Sequence, residues 1–334
     1  MIPTHCTKVR RLVRGLEGRW LILGIILGLT LSGSVNASAD LSMIVAGEVE
    51  KVAGGFQFVE GPVWHPGGYL LFSDIPANKI VKWTPSGKAE VFREPSGQSN
   101  GLTFDRQGRL IACEHGNRRV SRTEKDGSIV TLADKFEGKR LNSPNDLCAR
   151  SDGTIYFTDP DYGTPKGQKE LDFQGVYRIS PDGKLFLEAK ERFLKPNGLA
   201  LSPDERVLYV DDTEAGNVRA FDVKPDGALA NDRILIQGPP LGGTDGMKVD
   251  VQGNLYVTAD GVWVIDSSGN HLGTIKIPER PANCAFGDPD NKTLYITARN
   301  GLYRVRLKIQ GVRVLPETSG TGSDTKGSGG KSKG

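Results

Sequence analysis

A short polar anchor followed by alternating apolar residues recurs six times along this chain, and that repeat restricts its fold more than any other feature. The anchors are Glu60-Gly-Pro-Val-Trp64, Asn100-Gly-Leu-Thr-Phe104, Asn145-Asp-Leu-Cys-Ala149, Asn197-Gly-Leu-Ala-Leu201, Asp245-Gly-Met-Lys-Val249 and Asn283-Cys-Ala-Phe286, spaced by 40, 45, 52, 48 and 38 residues. Each runs through a turn such as Pro66-Gly-Gly68 or Ser151-Asp-Gly153 into a second apolar strand, for example Tyr69-Leu-Leu-Phe-Ser-Asp74 or Ile155-Tyr-Phe-Thr-Asp159. A third alternating strand follows, as in Lys79-Ile-Val-Lys-Trp83. Short apolar runs bounded by Gly, Asp and Pro are strand and hairpin signals. A period of about 40–50 residues with three or four strands per unit predicts an all-β fold, a six-bladed β-propeller. One blade cannot cover both of its faces, so the ring has to close to hide its sheet edges. Residues 43–58 carry strand-like side chains ahead of the first anchor and are expected to add an outer strand to the last blade. A β-sandwich or a helix-containing enzyme is the competing architecture, but no helical stripe runs anywhere after residue 40.

Composition and charge fit this reading. The 43 Gly and 19 Pro among 334 residues suit a chain that turns often. Lys8, Arg10, Arg11, Arg14 and Arg19 against Glu17 give residues 1–39 a net +4, while the whole chain carries +3, so the rest carries −1. A body so near neutral offers no electrostatic footprint for nucleic acid. The basic stretch precedes a short apolar run, Trp20 to Leu31, and then Ala37-Ser38-Ala39. This is the pattern of a signal peptide over 1–39, cleaved after Ala39, with a secreted or periplasmic product and no later membrane contact. The run is shorter than the roughly 20 apolar residues of a membrane span; an uncleaved N-terminal membrane anchor is the alternative. The propeller is expected over 40–313 and a disordered Gly/Ser/Lys-rich tail over 314–334. Cys113, Cys148 and Cys284 lie far apart at strand-like positions, with no C-x-x-C pair, and read as small buried hydrophobes.

In a propeller the residues that begin the innermost strands meet at one mouth of the central channel. Here they are Glu60, Asn100, Asn145, Asn197, Asp245 and Asn283, all with oxygen-bearing side chains and none with a positive charge. A hard divalent cation takes such a set of carboxylate and amide oxygens, so the expected cofactor is one divalent ion, Ca2+ first, with Mg2+, Mn2+ or Zn2+ as alternatives. The competing explanation is that Asn and Asp before Gly are ordinary turn residues. Scattered histidines (His5, His65, His115, His271) argue against a His-built zinc site. There is no G-x-S-x-G elbow, P-loop or dinucleotide fingerprint.

Over approximately residues 45–310 the chain resembles the senescence-marker-protein/gluconolactonase (regucalcin-like) family. The resemblance is carried by Glu60-Gly-Pro-Val-Trp64, Asn142-Ser-Pro-Asn-Asp146, Phe157-Thr-Asp-Pro160, Pro196-Asn-Gly-Leu-Ala200 and Thr244-Asp-Gly-Met-Lys248. It implies a six-bladed propeller with a central metal site and hydrolysis of a small lactone. It implies Glu60, Asn197 and Asp245 as metal ligands, Asp245 also as the catalytic group, and Asn145 against metal or substrate. Leu147 stands where regucalcin-like members carry Gly, a departure at that corner.

The expected reaction is metal-polarised attack of water on a lactone carbonyl, with Asp245 as general base or, alternatively, as nucleophile. Arg140, Asn142, His115, Asn100 and Tyr162 are the candidate substrate contacts. For Arg140 a solvated loop charge is the alternative, and for His115 a turn histidine. Residues 159–172, including Tyr162, are expected to form a rim that sets substrate size. Two other functions compete: organophosphate or aryl-ester hydrolysis on the same scaffold, and a non-catalytic ligand-binding propeller. Oligomeric state is not legible. The targeting pattern makes a direct prediction. Protein recovered from an exporting bacterial host begins at Asp40 by intact mass and N-terminal sequencing; a membrane-bound product retaining residues 1–39 would instead support the anchor.

Overall fold

A computed structural model describes residues 41–237 and 243–315. The expected signal peptide and most of the expected tail lie outside the described residues. The first two tail residues lie within them: Val314 is largely exposed, while Leu315 is buried against Val63, Leu71 and Leu102.

Six four-stranded antiparallel sheets form the blades of a propeller. Their inner strands are Val59–His65, Ser99–Phe104, Leu147–Ala149, Pro196–Leu201, Met247–Val249 and Pro281–Gly287. Each packs against the next, and the last against the first. The chain closes the ring as its pattern predicts. Glu50–Gly54 pairs antiparallel with Gly301–Arg306 and supplies the outermost strand of blade 6. One element was not anticipated: a small hairpin, Lys135–Phe136 with Lys139–Arg140, precedes blade 3.

The buried apolar side chains of the described residues fall into six clusters, one in each gap between neighbouring blades. This follows from the alternation along each strand, because both faces of a blade must be covered by its neighbours. Blades 6 and 1 meet through stacked Trp64 and Tyr295, with ring centroids 5.5 Å apart. Cys113 and Cys284 are buried core residues and, with Cys148, are unbridged.

Two polar devices recur. A carboxylate at the end of a second strand grips the backbone entering its own inner strand: Asp74 accepts from the N–H groups of Gln57 and Phe58, Asp159 from Asn142, and Asp212 from Leu194 and Lys195. A hydroxyl one residue earlier donates to a carbonyl at the start of the next blade. Ser73 Oγ reaches Asn100 O, Thr158 Oγ1 reaches Asn197 O and Thr258 Oγ1 reaches Ala282 O, each at 2.7 Å.

The inner strands come so close that the residue after most anchors has to be glycine. A Cβ on Gly61 would stand 2.0 Å from Asn100 O, and one on Gly198 would stand 2.3 Å from Asp245 O. Gly61 also has φ +55°, where an L side chain is strained. Gly61→Ala is therefore expected to cost about 2–4 kcal/mol, combining overpacking and backbone strain. Gly68→Ala, at a turn glycine with open space around its Cβ position, should cost only about 1 kcal/mol. Urea unfolding of both variants checks the difference.

Candidate active site

The strand registers fix which residues are equivalent. Val59 pairs with Asp74, Ser99 with Glu114, Pro196 with Asp212 and Pro281 with Ala298. The residue following each forms one layer at the channel mouth: Glu60, Asn100, Asn145, Asn197, Asp245 and Ala282. The sixth member is thus Ala282, not the expected Asn283, which lies one residue deeper. The deeper layer is Gly61, Gly101, Asp146, Gly198, Gly246 and Asn283. Its two side chains come from opposite blades, and Asn283 Nδ2 donates to Asp146 Oδ2 across the axis at 3.2 Å. They occupy the space that the four glycines leave open. Lys248, deeper still on blade 5, points its ammonium at Asp146 Oδ2, 3.9 Å away.

Above these layers lies a cavity of about 350 Å³. Glu60, Asn100, Asn145, Asn197 and Asp245 line it, together with His115, Thr213 and Tyr162. Glu60, Asn100, Asn145 and Asn197 are buried, and Asp245 is partly exposed to the cavity. Asn100 Nδ2 donates to Asn145 Oδ1 at 2.7 Å and lies 3.3 Å from His115 Nε2. Asn197 Nδ2 donates to Thr213 Oγ1, which donates onward to Thr244 O. This turns the Asn197 amide by its nitrogen and leaves its oxygen for the cavity.

The floor concentrates negative charge. Burial pushes the Glu60 carboxyl up to about 7, and the Asp146 charge adds to the effect. Asp245 is driven well above the ordinary carboxylate range by burial, then by the charges of Glu60 and Asp211. Glu60 and Asp245 line the same cavity and each disfavours ionisation of the other. Two neighbouring carboxylates repel when both are ionised, which is the electrostatic condition a cation relieves. Among the described residues no group of three or more His, Cys, Asp or Glu side chains gathers into a metal cage. The donor set is instead two carboxylates plus amides. Asn100 Oδ1, buried and without a partner among the described residues, adds an unused oxygen. That chemistry suits a hard divalent ion.

His115, Asn100 and Tyr162 line this cavity with Glu60, Asn145, Asn197 and Asp245. Arg140 does not: its guanidinium donates to Asn117 O from the small hairpin. Asn142 does not either. It is fully buried, and its amide braces Asp159 O and Phe173 O at the base of the blade 3 loop. Their proximity in sequence to Asn145 does not bring them to the cavity, because the intervening backbone turns them away. His65 stacks on Tyr69, away from the cavity. Sequence reasoning missed Thr213, Phe58, Ile75, Arg280 and Arg299, which also line the cavity. Ile75, Thr213 and Arg299 follow a strand end and Arg280 precedes an inner strand, all in loops where no periodic signal marks them. Asp146 was detectable, since it stands where four other anchors have glycine.

A family model described as the SMP-30/gluconolactonase/LRE-like region matches residues 58–300. A gluconolactonase of Zymomonas mobilis is 37% identical over 306 residues, covering 81% of this chain and 85% of that protein. Regucalcin of Oryctolagus cuniculus is 30% identical, covering 80% and 92%. Among solved structures, a gluconolactonase of Xanthomonas campestris is 37% identical with a TM-score of 0.74, covering 80% of this chain and 92% of its own.

Burial pushes the His115 imidazole down to about 4. The folded state therefore binds this proton less readily than the unfolded chain, whose histidine titrates near 6.5. Stability contributed by His115 is full above about 6.5 and is lost as pH falls toward 4. His115→Gln should shrink the loss of unfolding free energy between pH 7 and pH 4.5 by about 2 kcal/mol in urea titrations.

Proposed function

The chain belongs to the SMP-30/gluconolactonase/LRE-like family, a carboxylic-ester hydrolase by that membership, and we propose that it opens a small sugar lactone with the help of one divalent metal ion, Ca2+ in the first instance. The observation that carries the reading is the convergence of two carboxylates, Glu60 and Asp245, with the amides of Asn100, Asn145 and Asn197 on the floor of one cavity.

Glu60, Asn145, Asn197 and Asp245 would hold the ion. Bound there, it would supply Lewis acidity toward the lactone carbonyl and toward water. The chain's residues do the rest. Asp245 takes a proton from the attacking water and returns it to the ring oxygen as the ester bond breaks. Thr213 keeps the Asn197 amide in one orientation. Neutral His115 and Tyr162 offer hydrogen bonds to substrate hydroxyls without adding charge to the floor, and burial holds the Tyr162 phenol protonated. The Lys248–Asp146–Asn283 chain closes the channel beneath Glu60, excluding water from below. The N-terminal signal pattern supports an extracytoplasmic site of reaction.

Two results are expected. Chelation abolishes hydrolysis of glucono-1,5-lactone and added Ca2+ restores it, followed by acid release. Asp245→Asn retains the fold by circular dichroism but loses about 10²–10⁴-fold in kcat, the usual contribution of a general base. Activity that persists in chelator, or in this variant, overturns the reading.

A further inference from the structure

Two arginines that the lactonase reading leaves unused stand on one side of the same cavity. Arg280, in the segment entering blade 6, and Arg299, in the turn between its second and third strands, both line the mouth beside Phe58, Ile75, Pro281 and Ala282. Neither forms an ion pair with any carboxylate among the described residues. Lys195, over the ring of Tyr162, differs from them: it is matched to Asp161 at 3.4 Å and Glu214 at 3.2 Å.

The Arg280 guanidinium is held without being neutralised, and Arg299 is fixed through its backbone. Arg280 Nη2 donates to Gly243 O at 2.9 Å, which engages one of its five N–H donors. Arg299 carries φ +49°, a left-handed conformation that a non-glycine residue adopts at a cost. Its turn is tied to the floor strand, since Val59 N donates to Arg299 O at 2.8 Å and Phe56 N to Asn300 O at 3.3 Å. Val59 precedes Glu60, so the Arg299 backbone is tied to the strand that carries Glu60. The result is a cavity with an acidic floor at one end and a two-guanidinium rim at the other. Guanidiniums present planar, forked donors suited to carboxylate and phosphate oxygens.

We propose that Arg280 and Arg299 form an anion subsite, and that the preferred substrate is a sugar lactone bearing a carboxylate or phosphate on the carbon farthest from the lactone carbonyl. This rests on the lactonase reading for the reacting end and adds the recognition of the other end. The neutral ring reacts over Glu60 and Asp245 while the anionic tail sits against the rim.

The test compares kcat/KM for glucono-1,5-lactone, its 6-phosphate and glucaro-lactone, in wild type and in Arg280→Ala/Arg299→Gly. Glycine at 299 relieves the left-handed strain, so the variant keeps its turn. Wild type is expected to favour at least one anionic lactone by about tenfold or more at low salt, a preference that falls as ionic strength rises. The double variant is expected to lose that preference. Which anionic lactone is favoured separates phosphate from carboxylate. An anionic-to-neutral ratio near one in wild type, or a ratio unchanged in the variant, overturns the subsite. Should no lactone be hydrolysed, the lactonase reading fails separately, and calorimetric binding of 6-phosphogluconate and glucarate decides the subsite: binding lost in the double variant supports it, and no binding in wild type removes it.

Discussion

The close approach of neighbouring inner strands around the channel is the constraint on which the rest of this molecule depends. The neighbouring blade's backbone crowds Gly61, Gly101 and Gly198, and the Asn283 side chain crowds Gly246, so four of the six positions tolerate nothing beyond glycine. That proximity lets a hydroxyl from one blade hold an anchor carbonyl of the next, as with Ser73 and Asn100 or Thr158 and Asn197. It also brings side chains more than a hundred residues apart in sequence to a single axis. The gap cores are large, but they only stack the blades; the glycine layer sets how narrow the channel is and what can meet there.

Narrowness has an electrostatic consequence. Glu60 and Asp245, on different blades, face the same cavity, and their carboxyls rise above their ordinary range. Replacing either by an apolar residue would relieve the repulsion, so the unfavourable pair has its rationale in binding rather than stability. Beneath it, Asp146 and Asn283 fill the space the glycines leave, and Lys248 offsets part of the charge from the far side. The site is thus built in depth, with an amide and carboxylate layer supported by a hydrogen-bonded plug.

The repeat was legible because a propeller imposes the same local chemistry six times: anchor, turn, second strand. Blade number, the closing strand at Glu50–Gly54 and the convergence of Glu60, Asn100, Asn145, Asn197 and Asp245 all followed from it. Blade 6 broke the pattern by one residue. Asn283 resembled an anchor in sequence, but the pairing of Pro281 with Ala298 puts Ala282 at the mouth and Asn283 a layer below. A polar residue within a short strand marks a layer only once its register is known.

Arg140 and Asn142 fell outside the cavity for a related reason. Proximity in sequence to Asn145 does not determine direction in a loop clamped by Asp159 and by its own hairpin. Arg280 and Arg299 arrived in it without any repeat signal, since turns between strands carry no period. The amino-acid sequence by itself therefore determined the architecture and the acidic, amide-rich floor, because periodic hydrophobicity and recurrent glycine are local properties repeated along the chain. Only the tertiary structure decided the rim, the plug and the depth of each side chain, because these depend on strand register and on loops from different blades meeting in space.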